Sequence, residues 1–402
     1  MTIFNFTSEE QKKLSAAFTI NEIFQQPNTW LSTIKQIKLI KDDLNLFLNK
    51  ILKEPDFDII FCGAGSSEFV GNALFSSLNL VCNNYCFKSY ATTDLVASPE
   101  YYLSKNKKTL LVSFGRSGNS PESLGAIEIA NKVCGDNIYH LVISCNKDGE
   151  IAKKAKLDDH YFAIDLDDRT HDKSFAMTSS FTNMYLAAVL SFNLDKLNEL
   201  ELIFTNIIRA TERLLNDDFK KIKELINDYD FKRIVYLGSN SFKGIAQESA
   251  LKMLELTKGS VVTMHDSPLG FRHGPKSIID DNTLCIIYLS DDDYQYLYEY
   301  DLIKEIASQK KTNKLMLIGS YNRYLESGKE LEKLADYTYY FDNKMKLNNL
   351  YLGIEYLTMA QLIALFKSLS LGISPDNPCP SGEVNRVVVG VNIYDYQKEE
   401  LW

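Results

Sequence analysis

Phe57-Asp58-Ile59-Ile60-Phe61-Cys62-Gly63-Ala64-Gly65-Ser66-Ser67 is the stretch on which the fold turns. A short apolar run ends at a turn of glycines and serines, and a helix pattern follows. Thr109 to Phe114 repeats the arrangement and leads into Gly115-Arg116-Ser117-Gly118-Asn119-Ser120-Pro121, then another helix. Tyr139 to Ser144 and Tyr161 to Ile164 are further strands. Short apolar strands alternating with helices predict an α/β fold, with a parallel sheet covered on both faces. Upstream, Thr7-Ser8-Glu9-Glu10 is a capping-box pattern that opens a helix. Pro27-Asn28-Thr29-Trp30 is expected to break that helix, and a second runs to about Lys53 before the periodicity changes after Pro55.

The same order then recurs. Arg233 to Leu237 is a strand that ends at Gly238-Ser239-Asn240-Ser241, with a helix beyond it. Thr283 to Leu289, Lys314 to Ile318 and Tyr337 to Phe341 are the later strands. Gly63 and Gly238 are 175 positions apart, and so are Ser144 and Gly319. One offset at two landmarks implies an internal duplication. The expected organisation is N-terminal helices over 1–54, a first domain over 55–214 and a second over 215–391, with a tail to 402. A linker is expected near Leu214 to Phe219 and a long helix over Leu347 to Leu371. Gly372 to Val391 is expected to be a loop lying over something.

A length of 402 residues exceeds one ordinary core, and 45% apolar with 24% charged residues is a water-soluble composition. The net charge of -9 argues against general affinity for nucleic acid or an anionic membrane. It leaves room for a small anionic ligand, because local donors can hold a phosphate inside an acidic protein. The seven cysteines lack any Cys-x-x-Cys spacing and fit reduced thiols of a cytoplasmic protein. Met1 to Lys13 has no signal-peptide pattern, and no apolar run is expected to span a membrane.

In open parallel sheets, ligands bind at the carboxyl ends of strands. There the first half carries its two Gly/Ser-rich turns, whose backbone N–H groups and hydroxyls suit a phosphate, with Arg116 as a fixed charge. The corresponding second-half loop, Ser290-Asp291-Asp292-Asp293, would repel phosphate, so one phosphate site per chain is expected, in the first half. The second half offers acids and bases instead. Glu248, Lys252 and Glu255 stand at i, i+4 and i+7 of a helix pattern and share one face. His273 follows in a Gly-Pro turn. Two carboxylates, an amine and an imidazole can move protons beside a carbonyl. A solvated face with an ordinary ion pair is the plainer alternative. No Walker-type sequence exists for nucleoside triphosphates. His140, His160, His171 and His265 are dispersed, and neither a metal nor an organic cofactor is expected.

Together these residues resemble the sugar isomerase (SIS) domain family, present twice, so that two tandem doubly wound sheets follow an N-terminal helical segment. Glu248-x3-Lys252-x2-Glu255 and His273-Gly274-Pro275 resemble the isomerase half of glucosamine-6-phosphate synthase. The run Ser113 to Ser123 is more similar to the AgaS family, the galactosamine-6-phosphate deaminase/isomerases, also called tagatose-6-phosphate ketose/aldose isomerases. So are Ser174 to Phe181 and Pro378 to Val388. The resemblance implies that Glu255 is the base shuttling a proton between C2 and C1, that His273 opens the sugar ring, by way of a dimer interface, and that Lys252 stabilises enolate charge. Glu248 would hold water or orient the lysine. Ser66 or Ser67, with Arg116, Ser117 and Ser120, would bind the 6-phosphate, and Phe175 to Thr178 would line the pocket. The synthase has a lysine in its C-terminal tail, whereas Pro375 to Val391 has none and Glu383 falls near that place. Residue 2 is Thr2, not a nucleophilic cysteine, so a glutaminase half is not expected and the releasing direction or a plain isomerisation is. The expected function is deaminating isomerisation of an amino-sugar 6-phosphate by a homo-oligomer, with a plain phosphosugar isomerase and a non-catalytic sugar-phosphate sensor as alternatives.

Overall fold

The structure, a computed structural model, describes residues 2–53, 56–154, 158–309, 311–382, 384–386, 388 and 390–397. Glu383, and with it the reading of the tail at that position, lies outside the described residues, as do Pro55 and Val387. The N-terminal segment forms helices α1 (Ser8–Lys13), α2 (Ala17–Phe24), α3 (Gln26–Leu39) and α4 (Lys41–Leu52). Thr7 caps α1 reciprocally with Glu10, the capping box expected from sequence. Pro27 does not break a helix from within. It lies in the first turn of α3, where its missing N–H is no loss.

The first sheet contains β1 (Phe57–Gly63), β2 (Phe87–Ala91), β3 (Lys108–Gly115), β4 (Ile138–Ser144) and β5 (Tyr161–Asp165). All its pairings are parallel, in the order β2-β1-β3-β4-β5. Helices α5 (Ser66–Val81) and α6 (Pro121–Cys134) follow β1 and β3 directly. Beyond α7 (Ser179–Ser191), α8 (Leu197–Arg213) and α9 (Phe219–Asp228) comes the second sheet. It contains β6 (Arg233–Leu237), β7 (Val262–Asp266), β8 (Thr283–Tyr288), β9 (Lys314–Ser320) and β10 (Tyr337–Phe341). Its order, β7-β6-β8-β9-β10, is that of the first sheet with every strand advanced by five, and it too is all parallel. Helices α10 (Ser241–Leu256), α11 (Asp293–Ser308) and α12 (Asn349–Ser370) complete the second repeat.

In each sheet the chain steps to one side of the first strand, then returns to the other. The crevice between β1 and β3, and between β6 and β8, is therefore a topological switch point, where strand-end loops diverge and leave room for a ligand. The helix-bearing strands are apolar on both faces. Ile60, Leu111 and Val142 pack on Ile127 and Ala130. Val235, Ile287 and Leu315 pack with Leu302 and Ile303.

The described chain forms two compact units that are discontinuous in sequence. One comprises Met1–Leu31, Asp172–Thr182 and Lys196–Ser381, and holds the second sheet. The other comprises Ser32–His171, Asn183–Asp195 and Gly382–Trp402, and holds the first. The expected linker at Leu214 is instead a π-helical turn, Leu214–Asp218, joining α8 to α9. Leu214 and Leu215 are buried there because they extend the apolar stripe of α8. Helix α12 is long and apolar enough, by length and composition, to cross a membrane, but it is a core helix, with 94% of its most apolar window buried inside the protein.

Candidate active site

Helix α10 begins at Asn240 and is built largely from strong helix formers. Its i, i+4, i+7 face brings Glu248, Lys252 and Glu255 together. The Lys252 ammonium lies 3.2 Å from a Glu248 oxygen and 2.5 Å from a Glu255 oxygen. Lys252 and Glu248 are wholly buried, while the Glu255 side chain is 23% exposed. The plainer reading of this face, a solvated ion pair, is therefore excluded. Burial disfavours the ammonium, but Glu248 and then Glu255 outweigh it and hold its pKa above the ordinary lysine value. Lys252 is a fixed cation at neutral pH, suited to stabilising negative charge and unsuited to forming an imine. Removing one partner of such a buried pair costs about 3–5 kcal/mol. Glu255 is the member of the three that a substrate can reach.

A second polar cluster of the same unit surrounds the segment Asp172–Thr182. The buried Asp172 carboxylate accepts from the backbone N–H groups of Thr178 and Ser180, each at 2.8 Å, and from the hydroxyls of Ser179 and Ser180. Glu22 of α2 accepts from the N–H groups of Lys173 and Ser174 and from the Ser174 hydroxyl. Gln361 of α12 accepts from Gln26 at 2.8 Å and donates to the Thr178 carbonyl at 3.4 Å. Asp376 accepts from Thr19, and its carbonyl receives the Phe175 N–H. These partners fix Phe175 to Thr178 in one conformation. Thr178 is fully buried, and its hydroxyl has no hydrogen-bond partner among the described residues.

His273 is exposed, in the turn between the short helix Pro268–Phe271 and the 3-10 turn Pro275–Ile278. On either side of it, Arg272 and Lys276 both pair with Glu305 of α11, which pins the turn. Gly274, at φ +113°, supplies a backbone conformation that other residues resist. Within the described chain the imidazole makes no hydrogen bond to Glu255 or Lys252, so the structure brings three of the four expected acid–base residues together and leaves His273 apart. His140 and His160 stack on Tyr161 and Tyr139, as structural residues do.

In the other unit, the loops after β1 and β3 leave the same end of two paired strands, with Cys62 opposite Ser113. Gly65 begins α5 at φ 56°, ψ -127°, and Ser66 and Ser67 occupy its first turn, both buried. Ser117 is half-buried; its hydroxyl accepts the Asn119 N–H at 3.3 Å, and its carbonyl receives the Asn146 amide at 2.8 Å. Ser120 caps α6, accepting from the Ser123 N–H and donating to the Ser123 hydroxyl at 2.6 Å. Arg116 is buried and donates to the carbonyl of Arg386, so one edge of its guanidinium anchors the C-terminal tail. Helix N-termini, serine hydroxyls and a guanidinium at a switch point make an arrangement able to hold an oxyanion.

A profile of the SIS domain matches residues 51–194. The D-galactosamine-6-phosphate deaminase AgaS of Shewanella sp. (strain ANA-3) is 39% identical over 394 residues, 98% of this chain and 95% of that protein. The chain belongs to the AgaS family. Solved structures agree with that placement. The tagatose-6-phosphate ketose/aldose isomerase of Escherichia coli aligns with a TM-score of 0.85 at 34% identity, covering 95% of this chain and 97% of that one. A candidate tagatose-6-phosphate ketose/aldose isomerase from Clostridium novyi NT aligns at 0.93 with 42% identity, over 98% and 100% of the two chains. Against this AgaS-family frame, the residues missed by sequence reading are Glu22, Asp172 and Gln361. Glu22 carried a signal: it is a carboxylate on the same helix as the buried Ile20 and Ile23.

Burial, reinforced by the Asp172 charge, pushes the Glu22 carboxyl up to about 8 against the pull of its donors. A carboxyl whose pKa is raised by folding favours the fold while protonated. That contribution is complete below the unfolded value near 4.5 and is lost as pH rises to about 8. Glu22→Gln removes the proton-binding site and keeps the shape. The melting temperature of this variant is expected to gain on wild type steadily between those limits, measured by thermal unfolding across pH. A constant difference would contradict the assignment.

Proposed function

We propose that this chain converts D-galactosamine 6-phosphate to D-tagatose 6-phosphate and ammonia. The observation that carries the reading is the partly exposed Glu255 carboxylate held against a buried, permanently charged lysine. It sits in a chain 39% identical over nearly its whole length to a protein named for that deamination. His273 assists ring opening, which frees the C1 aldehyde. Glu255 takes the proton from C2, and an enolamine forms whose developing charge faces the Lys252 ammonium. Glu248 keeps that ammonium in place. Return of the proton to C1 gives a ketimine at C2, and water releases ammonia from it and leaves the ketose. The steps are ring opening, proton transfers and hydrolysis of an imine, with no change of overall oxidation level, so the chemistry requires no metal or organic cofactor.

The 6-phosphate is assigned to Ser66, Ser67, Arg116, Ser117 and Ser120, and the buried Thr178 hydroxyl to the sugar. Holding the substrate by a phosphate remote from the reacting carbons provides binding energy that aligns C2 with its base. The chain is placed in the cytoplasm and in a homodimer in which His273 serves the partner's site. Mixed dimers of Glu255→Gln and His273→Ala chains should then recover the activity each lacks alone, and a persistently inactive mixture would remove the shared site.

Wild type incubated with galactosamine 6-phosphate should release ammonia in step with ketose formation. Glu255→Gln should lower the rate by about 10²–10⁴-fold while phosphosugar binding, read by calorimetry, is kept. Brisk aldose–ketose exchange of a phosphosugar without an amine, and no ammonia, would favour the plain isomerase for which the Escherichia coli structure is named. Full activity in Glu255→Gln would remove Glu255 as the base.

A further inference from the structure

The second repeat has a switch point of its own, between β6 and β8, and something already occupies it. The fully buried Glu299 carboxyl, projecting from α11, accepts the Ser239 hydroxyl at 2.7 Å and the Ser290 backbone N–H at 2.8 Å. Ser239 belongs to the loop after β6 and Ser290 to the loop after β8. These are the counterparts of the two loops assigned to phosphate in the first repeat.

The backbone shows how close the counterparts are. Asn240, at the start of α10, has φ 54° and ψ -123°; Gly65, at the start of α5, has φ 56° and ψ -127°. The two positions are 175 apart, the offset of the duplication. A glycine tolerates this conformation, whereas for an asparagine it is strained by on the order of 1–3 kcal/mol. Two positions earlier in each repeat, a Cβ on Gly63 would meet Ser67 at 2.4 Å, and one on Gly238 would meet Phe242 at 2.5 Å. Both turns are thus tightened against the first turn of their helix, and the second has the strained conformation although the residue there is Asn240 rather than a glycine.

We propose that the second repeat has the oxyanion cradle of its fold and that the Glu299 carboxyl is its built-in occupant, which closes it to phosphate. The last clause extends the assignment of the sugar phosphate to the first repeat; the rest stands on the second repeat alone. Burial pushes the Glu299 carboxyl up to about 7, against the pull of the Ser290 N–H, the Ser239 hydroxyl and then the Arg323 charge, while Asp292 raises it further. Arg323, itself buried, donates through Nε to the Ser290 carbonyl at 2.9 Å and so holds the same loop in place. The three aspartates of this loop are not what fills the crevice. Asp292 caps α11, Asp291 accepts from Ser320 and from the Leu347 N–H, and Asp293 pairs with Lys346 and Arg323. The sequence-based expectation that they repel phosphate is replaced by occupation from a residue further along the helix.

Glu299→Ala empties the cradle while leaving its donors, and formate is the probe that matches the lost carboxylate. Formate should raise the melting temperature of Glu299→Ala saturably, by roughly 2 °C or more over a sodium chloride control. Wild type should respond less, as should Glu299→Gln, whose side chain fills the same space; any response they share belongs to the first repeat. Orthophosphate should also stabilise Glu299→Ala more than it does wild type. The formate response should survive in a Ser117→Ala background, which separates this inference from the assignment of the sugar phosphate. Absence of the formate response in folded Glu299→Ala, or an equal response in Glu299→Gln, would overturn the proposal. If Glu299→Ala folds poorly, its refolding yield should rise in formate; equal yields in formate and chloride would overturn it as well.

Discussion

An ammonium sealed from water must be met by carboxylates, and Lys252 is sealed completely. That requirement organises α10. A helix offers a buried side chain neighbours at three and four positions along its own face. Glu248 supplies the inner partner at i−4 and Glu255 the outer one at i+3. The inner carboxylate is as buried as the lysine, so the pair is electrically balanced before any substrate arrives. The outer one reaches the surface. A base whose counter-charge cannot leave is a preorganised electrostatic element, and such elements need no rearrangement when charge develops on a substrate. Long apolar α12 excludes water from this part of the unit and carries Gln361 to the Thr178 carbonyl.

The second theme is duplication with unequal inheritance. Both repeats have the same strand order, all-parallel pairing and a tight turn at the first switch-point strand. In one, the two strand-end loops carry serines, glycines and an arginine. In the other, the corresponding donors are satisfied by Glu299. A buried donor left without a partner costs about 1–3 kcal/mol, so a cradle that gave up its ligand would need an internal acceptor. Freed from binding, the helix after β6 in that repeat carries the acid–base residues.

Much of this was legible in the sequence. The interior strands were, because being buried on both faces makes them continuous apolar runs. Phe87–Ala91 and Val262–Asp266 were missed: they are short edge strands, partly exposed, and Lys88 and Thr263 interrupt their apolar character. The shared face of Glu248, Lys252 and Glu255 followed from helical spacing, which is a local property. The discontinuous units did not, since nothing local says that Asp172–Thr182 packs with the second sheet. Glu22 holding Ser174 across 152 positions, and Glu299 reaching back to Ser239 across 60, are likewise tertiary facts. A sequence announces which residues can be charged; it announces less well which of them find their partners inside the fold.

Glu255 as the group that breaks the C2–H bond is the claim on which the catalytic account rests. Galactosamine 6-phosphate carrying deuterium at C2 tests it most directly, followed by NMR at that carbon. Wild type should remove the C2 deuterium with a primary isotope effect, whether the label passes to C1 or to solvent. Glu255→Gln, with binding intact, should leave the label at C2. Loss of the C2 deuterium from that variant at the wild-type rate would contradict the account.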